Sequence, residues 1–284
     1  MSRGTSWQPL DLVRWTADYF QRHGIATPRL DAEILLAHAL GVDRMGLYLR
    51  FEEIVRDDQR ARFRELVKRR AVDRVPVAYL TGFREFWSLP IKVTPDVLIP
   101  RPETELLVET LRELRPSRVA EIGTGSGALA AALARELPEA AILAVERSRS
   151  ALAVARENLE ALGVSERVTL IQGDGLGAVG PGFDTLVSNP PYVPTSELAE
   201  LPPEVQHEPR EALDGGADGL DLVRELCREA PSRLADSGTL ALEVGAGQAP
   251  CVSELMLLAG ATGVESIRDL AGIERVVLGR FGGA

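Results

Sequence analysis

Val119-Ala120-Glu121-Ile122-Gly123-Thr124-Gly125-Ser126-Gly127 runs from an apolar strand into a glycine turn, and the helix expected over Gly127–Glu136 follows it directly. Glycines at alternate positions permit a tight turn and let a ligand approach the backbone. The spacing Gly123-x-Gly125-x-x-Ala128 also satisfies the dinucleotide fingerprint, so the loop alone does not separate one nucleotide ligand from another. A turn that merely packs strand on helix is the plainer reading, but glycine at every second position favours a ligand.

Downstream, strands and helices keep alternating. Apolar runs starting at Ala141, Val168, Thr185 and Thr239 read as strands, with helices predicted from Ala151, Leu220 and Pro250. That alternation describes an α/β domain around a mostly parallel sheet. The last two runs, from Val264 and Arg275, are joined through Leu270-Ala271-Gly272, too short for a helical crossover, so they are expected to pair antiparallel. Glu146-Arg147 closes the second strand. A carboxylate about 20 residues beyond a glycine loop accepts from ribose hydroxyls, and the alternative is a solvent-facing charge. Asp174, in Gln172-Gly173-Asp174-Gly175 after the third strand, either accepts from an adenine amino group or caps a turn.

Upstream, residues from Gln8 to Arg74 read as helical. Leu10, Val13, Ala17 and Phe20 recur at helical spacing. A second helix opens at Pro28 and stops before Gly41, with Leu30, Ile34 and Ala37 as its expected core face. A third, from Asp57-Asp58, turns Phe63, Leu66 and Val67 inward. Its basic run (Arg60, Arg62, Arg64, Lys68, Arg69, Arg70) reads as a solvated face, with contact to an RNA-bound partner the second reading. Between Pro76 and Pro100, Phe86, Trp87, Leu89, Ile91 and Val93 around a Ser88-to-Pro90 turn predict a β-hairpin linker. The expected division is 1–75 helical, 76–100 linker and 101–284 α/β.

After the fourth strand of the α/β region comes Asn189-Pro190-Pro191-Tyr192. Proline donates no backbone hydrogen bond and holds φ at about −65°, and the residue before a proline is extended. The result is a stiff edge of bare carbonyls, an Asn acceptor and a Tyr ring, suited to holding a flat NH2 group. The plain alternative is a turn, which Asn-Pro often starts.

Composition narrows the classes. Apolar content of 45% and charged content of 26% are ordinary for a globular chain. A net charge of −10 disfavours an extended duplex-binding surface, so no direct nucleic-acid binding is expected. Cys227 and Cys251 have no metal-motif neighbours, and His23, His38 and His207 are scattered, so no metal site is expected. The first six residues lack an apolar leader core and no run is long enough to span a bilayer, which makes the cytoplasm the expected compartment.

Taken together, the glycine loop, Glu146 and Asn189-Pro190-Pro191-Tyr192 resemble a class I S-adenosylmethionine-dependent methyltransferase acting on a planar NH2. The likeness sharpens in Pro76-Val77-Ala78-Tyr79-Leu80-Thr81-Gly82, Leu98-Ile99-Pro100-Arg101-Pro102-Glu103-Thr104-Glu105, Asn189-Pro190-Pro191-Tyr192-Val193 and Glu208-Pro209-Arg210-Glu211-Ala212-Leu213-Asp214-Gly215-Gly216-Ala217-Asp218-Gly219-Leu220. These segments, with the closing Gly272-Ile273-Glu274-Arg275, resemble the release factor glutamine methyltransferases, the PrmC/HemK family.

The resemblance implies a seven-stranded, Rossmann-like methyltransferase sheet with its last strand antiparallel, a small all-helical N-terminal domain and a β-hairpin linker. It implies S-adenosyl-L-methionine as cofactor and class 1 peptide chain release factors as partners, methylated on the glutamine of their Gly-Gly-Gln motif. Carried over by position, Gly123, Thr124, Gly125, Ser126 and Gly127 line the cofactor, Glu146 and Arg147 meet its ribose side, and Asp174 and Gly175 its adenine. Arg101 and Thr104 are expected over the cofactor. Asn189, Pro190, Pro191 and Tyr192 form the amide pocket, with Asn189 touching cofactor and substrate alike. Asn189 and the Pro190 carbonyl accept the amide hydrogens while Tyr192 packs on the flat face. Two departures stand out: Glu146 replaces the family's usual Asp, and Gly175 replaces an aromatic wall, with Leu176 as a partial substitute. His207 and Glu208 read as loop residues, not as a catalytic pair.

Rival readings share parts of this pattern. A nucleobase amino-methyltransferase uses the same tetrapeptide logic. A ribosomal-protein glutamine methyltransferase would differ in its N-terminal domain. A nicotinamide-dependent oxidoreductase accounts for the glycine loop but not for Asn189 to Tyr192. A non-catalytic module of the translation machinery would keep the cofactor without transfer.

Overall fold

The computed structural model describes residues 7–282; the leader reading made on residues 1–6 lies outside them. The chain forms two compact units, one holding the chain up to Gly82 together with Pro202–His207, the other Phe83–Leu201 and the chain from Glu208 onward.

The first unit is helical: α1 (Pro9–Arg22), α2 (Pro28–Leu40), α3 (Arg44–Leu49), α4 (Asp57–Ala71) and α5 (Val77–Thr81). Phe20, Leu35, Leu36, Leu47, Phe63 and Val67 meet in its core. The expected core face of α2 needs correction. Leu30 is 40% exposed, whereas Asp31 and Glu33 are buried. Asp31 accepts from Arg70 Nε of α4 at 2.8 Å, and Glu33 accepts from Arg29, Arg44 and the Tyr48 hydroxyl. Arg70 therefore leaves the solvated basic face assigned to it; it is buried and also binds Glu204 at 2.8 Å. A carboxylate whose partner arrives from another helix looks like a surface residue in sequence, and burial of such a charge is tolerated only because it is paired.

The second unit opens with a hairpin, β1 (Phe83–Phe86) and β2 (Leu89–Lys92), paired antiparallel. Its turn falls on Trp87-Ser88, a step earlier than expected, with φ of 51° and 56°. Two left-handed residues match the twist of a two-residue hairpin. Trp87 is held there by its backbone N–H on Glu105 (2.8 Å) and its indole N–H on Glu136 (2.9 Å).

The remaining elements are α6 (Glu105–Leu114), β3 (Arg118–Ile122), α7 (Ala128–Glu136), β4 (Ala141–Glu146), α8 (Arg149–Ala161), β5 (Val168–Gln172), β6 (Phe183–Ser188), α9 (Asp221–Arg233), β7 (Leu234–Glu243), α10 (Ala249–Leu258), β8 (Ala261–Arg268) and β9 (Glu274–Phe281). The strands form one seven-stranded sheet, β5-β4-β3-β6-β7-β9-β8. β9 runs antiparallel to β7 and β8, as the short final connection required, and the other pairs are parallel. Leu186, Leu226, Leu240, Leu242 and Met256 pack in the core between sheet and helices. Strand order reverses between β3 and β6. In an open α/β sheet the crevice outside the carboxyl ends of the strands at such a reversal is where ligands bind.

Candidate active site

A cavity of about 490 Å³ opens at that reversal. Gly123 and Gly125 line it from the β3–α7 loop, Glu146 and Arg147 from the end of β4, Asp174 and Gly175 from beyond β5, and Asn189 and Pro191 from beyond β6. Gly123 and Gly125 have φ of 77° and 54°, and nothing lies within 4 Å of where a Cβ would sit. Their bare backbone faces open space. Gly127 does different work: a Cβ there would come within 3.1 Å of the Ala155 Cβ, so its absence lets α8 pack against the loop. Thr124 and Ser126 are buried beside the cavity and do not line it. The Thr124 hydroxyl donates to Glu121 at 2.8 Å, and the Ser126 carbonyl accepts from Asn158 at 2.8 Å.

Glu146 is pre-positioned by main chain. One oxygen accepts from Gly125 N–H and the other from Ser148 N–H, both at 2.9 Å. Each oxygen keeps a further lone pair for a hydroxyl donor. Glu121, beneath the loop, is pushed up to about 7 by burial and by the negative charge of Glu146, against the favourable bond from Thr124.

Leu176, expected as a partial substitute for an aromatic wall at Gly175, is fully buried in the core. A Cβ on Gly175 would lie 1.9 Å from Oε1 of Glu225, a residue of α9 that also lines the cavity. Burial, Glu229 and Asp174 all raise the Glu225 carboxyl above its usual value. Glu225 thus joins Asp174, the acceptor candidate of the sequence, in the lining of the cavity.

Asn189 begins the acceptor edge. Its Nδ2 donates to Thr104 Oγ1 at 3.0 Å, and the Thr104 hydroxyl donates to Glu243 at 2.6 Å. Thr104 is buried and outside the cavity lining; Arg101, half-buried with its guanidinium bound to Glu208, is outside the lining too. From the same segment, Asp96, Val97 and Leu98 reach the cavity instead. Pro190 and Tyr192 stand beside the cavity without lining it. The Tyr192 hydroxyl is pushed up to about 12 by burial and by Glu243, so it stays protonated.

The segment from Glu208 to Leu220 proves to be the brace for this edge. Val193 N–H donates to Leu213 O and Gly215 N–H to Val193 O, both at 2.9 Å. A Cβ on Gly219 would lie 2.2 Å from the Tyr192 carbonyl oxygen, and one on Gly215 would lie 2.6 Å from that of Pro191. Gln248 donates to the Tyr192 carbonyl at 3.0 Å. Glu208 is no partner of His207. It is buried and accepts from Ile99 N–H at 3.0 Å as well as from Arg101, whereas His207 is exposed and sits on the Asp73 carbonyl. Glu225 and Glu243 go unassigned in sequence, and Glu208 reads as a loop residue, because lone carboxylates carry no spacing signal.

Two family models match the chain: PrmC N-terminal domain over residues 11–82 and Methyltransferase small domain over residues 102–207. The release factor glutamine methyltransferase of Rhodopirellula baltica is 44% identical, over 97% of each chain. That of Moorella thermoacetica is 47% identical, over 90% of this chain and 92% of the relative. Among solved structures, a methyltransferase from Pyrococcus furiosus superposes with a TM-score of 0.54 at 22% identity, covering 69% of this chain and 90% of that one, which speaks for the fold alone.

Proposed function

This chain belongs to the release factor glutamine methyltransferase family, and from that premise we propose that it transfers a methyl group to the side-chain amide nitrogen of the glutamine in the Gly-Gly-Gln motif of class 1 release factors. The observation that carries the reading is the double place of Asn189, which lines the cofactor cavity and also begins the proline-stiffened acceptor edge.

The cavity suits S-adenosylmethionine. Two left-handed glycines leave open space where side chains would stand, Glu146 is held ready for ribose hydroxyls, and Asp174 with Glu225 can accept from an adenine amino group. When bound, S-adenosylmethionine supplies an electrophilic methyl carbon. The protein's own task is to hold the amide. A carboxamide nitrogen is a weak nucleophile because its lone pair is delocalised. The Asn189 Oδ1 and the Pro190 carbonyl accept its two hydrogens, which fixes the group and begins to localise the lone pair. Tyr192, protonated through the neutral range, packs on the flat face. The rate then comes from orientation and placed dipoles. No strong base is needed at the outset, because the alkylated nitrogen is acidic and loses its proton late.

The helical unit is proposed to carry recognition of the partner protein. The compartment is proposed to be the cytoplasm, in keeping with two free thiols, Cys227 and Cys251, and no direct nucleic-acid contact is proposed. Among the described residues no helix is long and apolar enough to cross a membrane.

The test uses labelled S-adenosylmethionine, a release factor, and its Gly-Gly-Gln glutamine-to-alanine variant. Label is expected on the first protein and not on the second; label on both, or on nucleic acid, refutes the substrate. In the same assay Asn189→Ala is expected to lose about 10²-fold or more in turnover while S-adenosylhomocysteine affinity by calorimetry changes little.

A further inference from the structure

A carboxamide is nearly symmetric in shape, yet its two ends do opposite things: oxygen accepts and nitrogen donates. Asn189 can hold a substrate NH2 only if its oxygen faces the substrate. Something must decide which way round it stands, and the neighbouring residues supply a chain of constraint.

Glu243 ends β7, and Asn189 follows the last residue of β6, each one step beyond the paired Leu242 and Ser188. Thr104 bridges them. An ionised carboxylate has no hydrogen to give, so in the 2.6 Å bond the Thr104 hydroxyl must be the donor. Its single hydrogen is then committed, and toward Asn189 its oxygen can only accept. It therefore selects the Nδ2 end at 3.0 Å and leaves Oδ1 turned away. Among the described residues, Oδ1 accepts no hydrogen bond.

We propose that Glu243, acting through Thr104, is a positioning residue that sets the direction of the Asn189 carboxamide and so presents its oxygen to the substrate amide. Thr104 is thereby assigned to orientation and not to cofactor contact. The proposal rests on the methyl-transfer reading above.

The relay has a protonation-dependent polarity. A protonated Glu243 can donate to Thr104; the threonine hydrogen is then free to point at Asn189 and favours the reversed amide. Glu243 is 2% exposed. Burial, assisted by Glu103, pushes it up to about 7, while the Thr104 bond, Arg275 and Arg101 pull the other way. Arg275 is itself bound by Asp269 and Arg101 by Glu208, which mutes both cations. Tyr192 faces the same carboxyl as a neutral phenol. The oriented state belongs to the ionised form, so turnover is expected to rise with pH through about 7.

The test has two arms. In the first, kcat for methyl transfer to a release factor is measured for wild type, Thr104→Ser, Thr104→Val, Glu243→Gln, Asn189→Ala and Asn189→Ala/Thr104→Val. Thr104→Val is expected to lose roughly 10- to 100-fold in kcat, a fraction of what an oriented dipole contributes, with unchanged S-adenosylhomocysteine affinity. Thr104→Ser keeps most turnover, and Glu243→Gln loses the pH step. In the Asn189→Ala background Thr104→Val should cost nothing more, because the relay acts only through that side chain. Wild-type kcat in Thr104→Val, or full multiplication of the two losses, overturns the relay. In the second arm, the Asn189 side-chain NH2 resonances are followed by NMR in the cofactor-free protein. They are expected to titrate once near neutrality in wild type and not in Glu243→Gln or Thr104→Val. Resonances indifferent to pH in wild type overturn the proposal. Absence of any wild-type transfer would instead refute the substrate reading, and the NMR arm would still judge the relay.

Discussion

Gly219 shows how little freedom the acceptor edge has. With φ at 80° and the Tyr192 oxygen 2.2 Å from any Cβ, Gly219→Ala meets both left-handed strain and backbone overlap. We expect a loss on the order of 1–3 kcal/mol in thermal unfolding, together with reduced turnover as the tetrapeptide shifts. Gly247→Ala is the control: its φ is 83° but its surroundings are open, so only the strain remains, about 1 kcal/mol. Glu121 offers a test by pH. Its folded carboxyl sits at about 7 against an ordinary 4.5. A raised carboxyl contributes stability below its ordinary value and loses it as pH climbs through the folded one. Glu121→Gln should therefore gain in Tm over wild type at pH 8 and show little gain at pH 5, measured by calorimetry; equal differences at both would refute this. Asn189, Gly123 and Gly125 stand out in the sequence because glycine and proline restrict the chain locally, and all three line the cavity. Thr104, expected over the cofactor, lies outside the cavity lining and bonds Asn189 and Glu243, partners that are not written in its neighbours.

Helices and hairpins tell a similar story. Patterning placed α1, α4 and the alternating strands well, since apolar periodicity reports which side is buried. It failed on the face of α2, where Asp31 and Glu33 point inward. The pair Asp31–Arg70 joins α2 to α4 with both side chains less than 9% exposed. Breaking it from one side strands a charge, so Arg70→Met is expected to cost about 3–5 kcal/mol in denaturant unfolding. Asp31→Leu in that background should recover much of the loss. In the hairpin, Ser88 occupies a left-handed position that glycine adopts without steric cost. Ser88→Gly should raise stability by about 0.5–1 kcal/mol, visible as a small rise in Tm. Trp87 is not a candidate for the same change, because its indole N–H binds Glu136.

For the molecule as a whole, every residue named around the cofactor cavity belongs to the unit formed by Phe83–Leu201 and the chain from Glu208. A chain starting at Phe83 is therefore expected to bind S-adenosylhomocysteine within about threefold of the full protein, under 1 kcal/mol, and to lose transfer to a release factor. Calorimetry and the labelling assay test the two halves separately; transfer at the full rate would remove the helical unit from recognition. What could be read from the chain alone was the α/β class, the antiparallel end of the sheet, the glycine loop and the tetrapeptide. Each is written in a few consecutive residues, where backbone sterics and apolar period act over one turn or one strand. What waited for the folded chain was the network that aims them. Thr104 lies 85 residues from Asn189 and 139 from Glu243, and Glu208 lies 109 from Ile99. Hydrogen bonds depend on distance in space, and a lone buried carboxylate has no local pattern. Its partner is chosen only when the fold brings the two ends together.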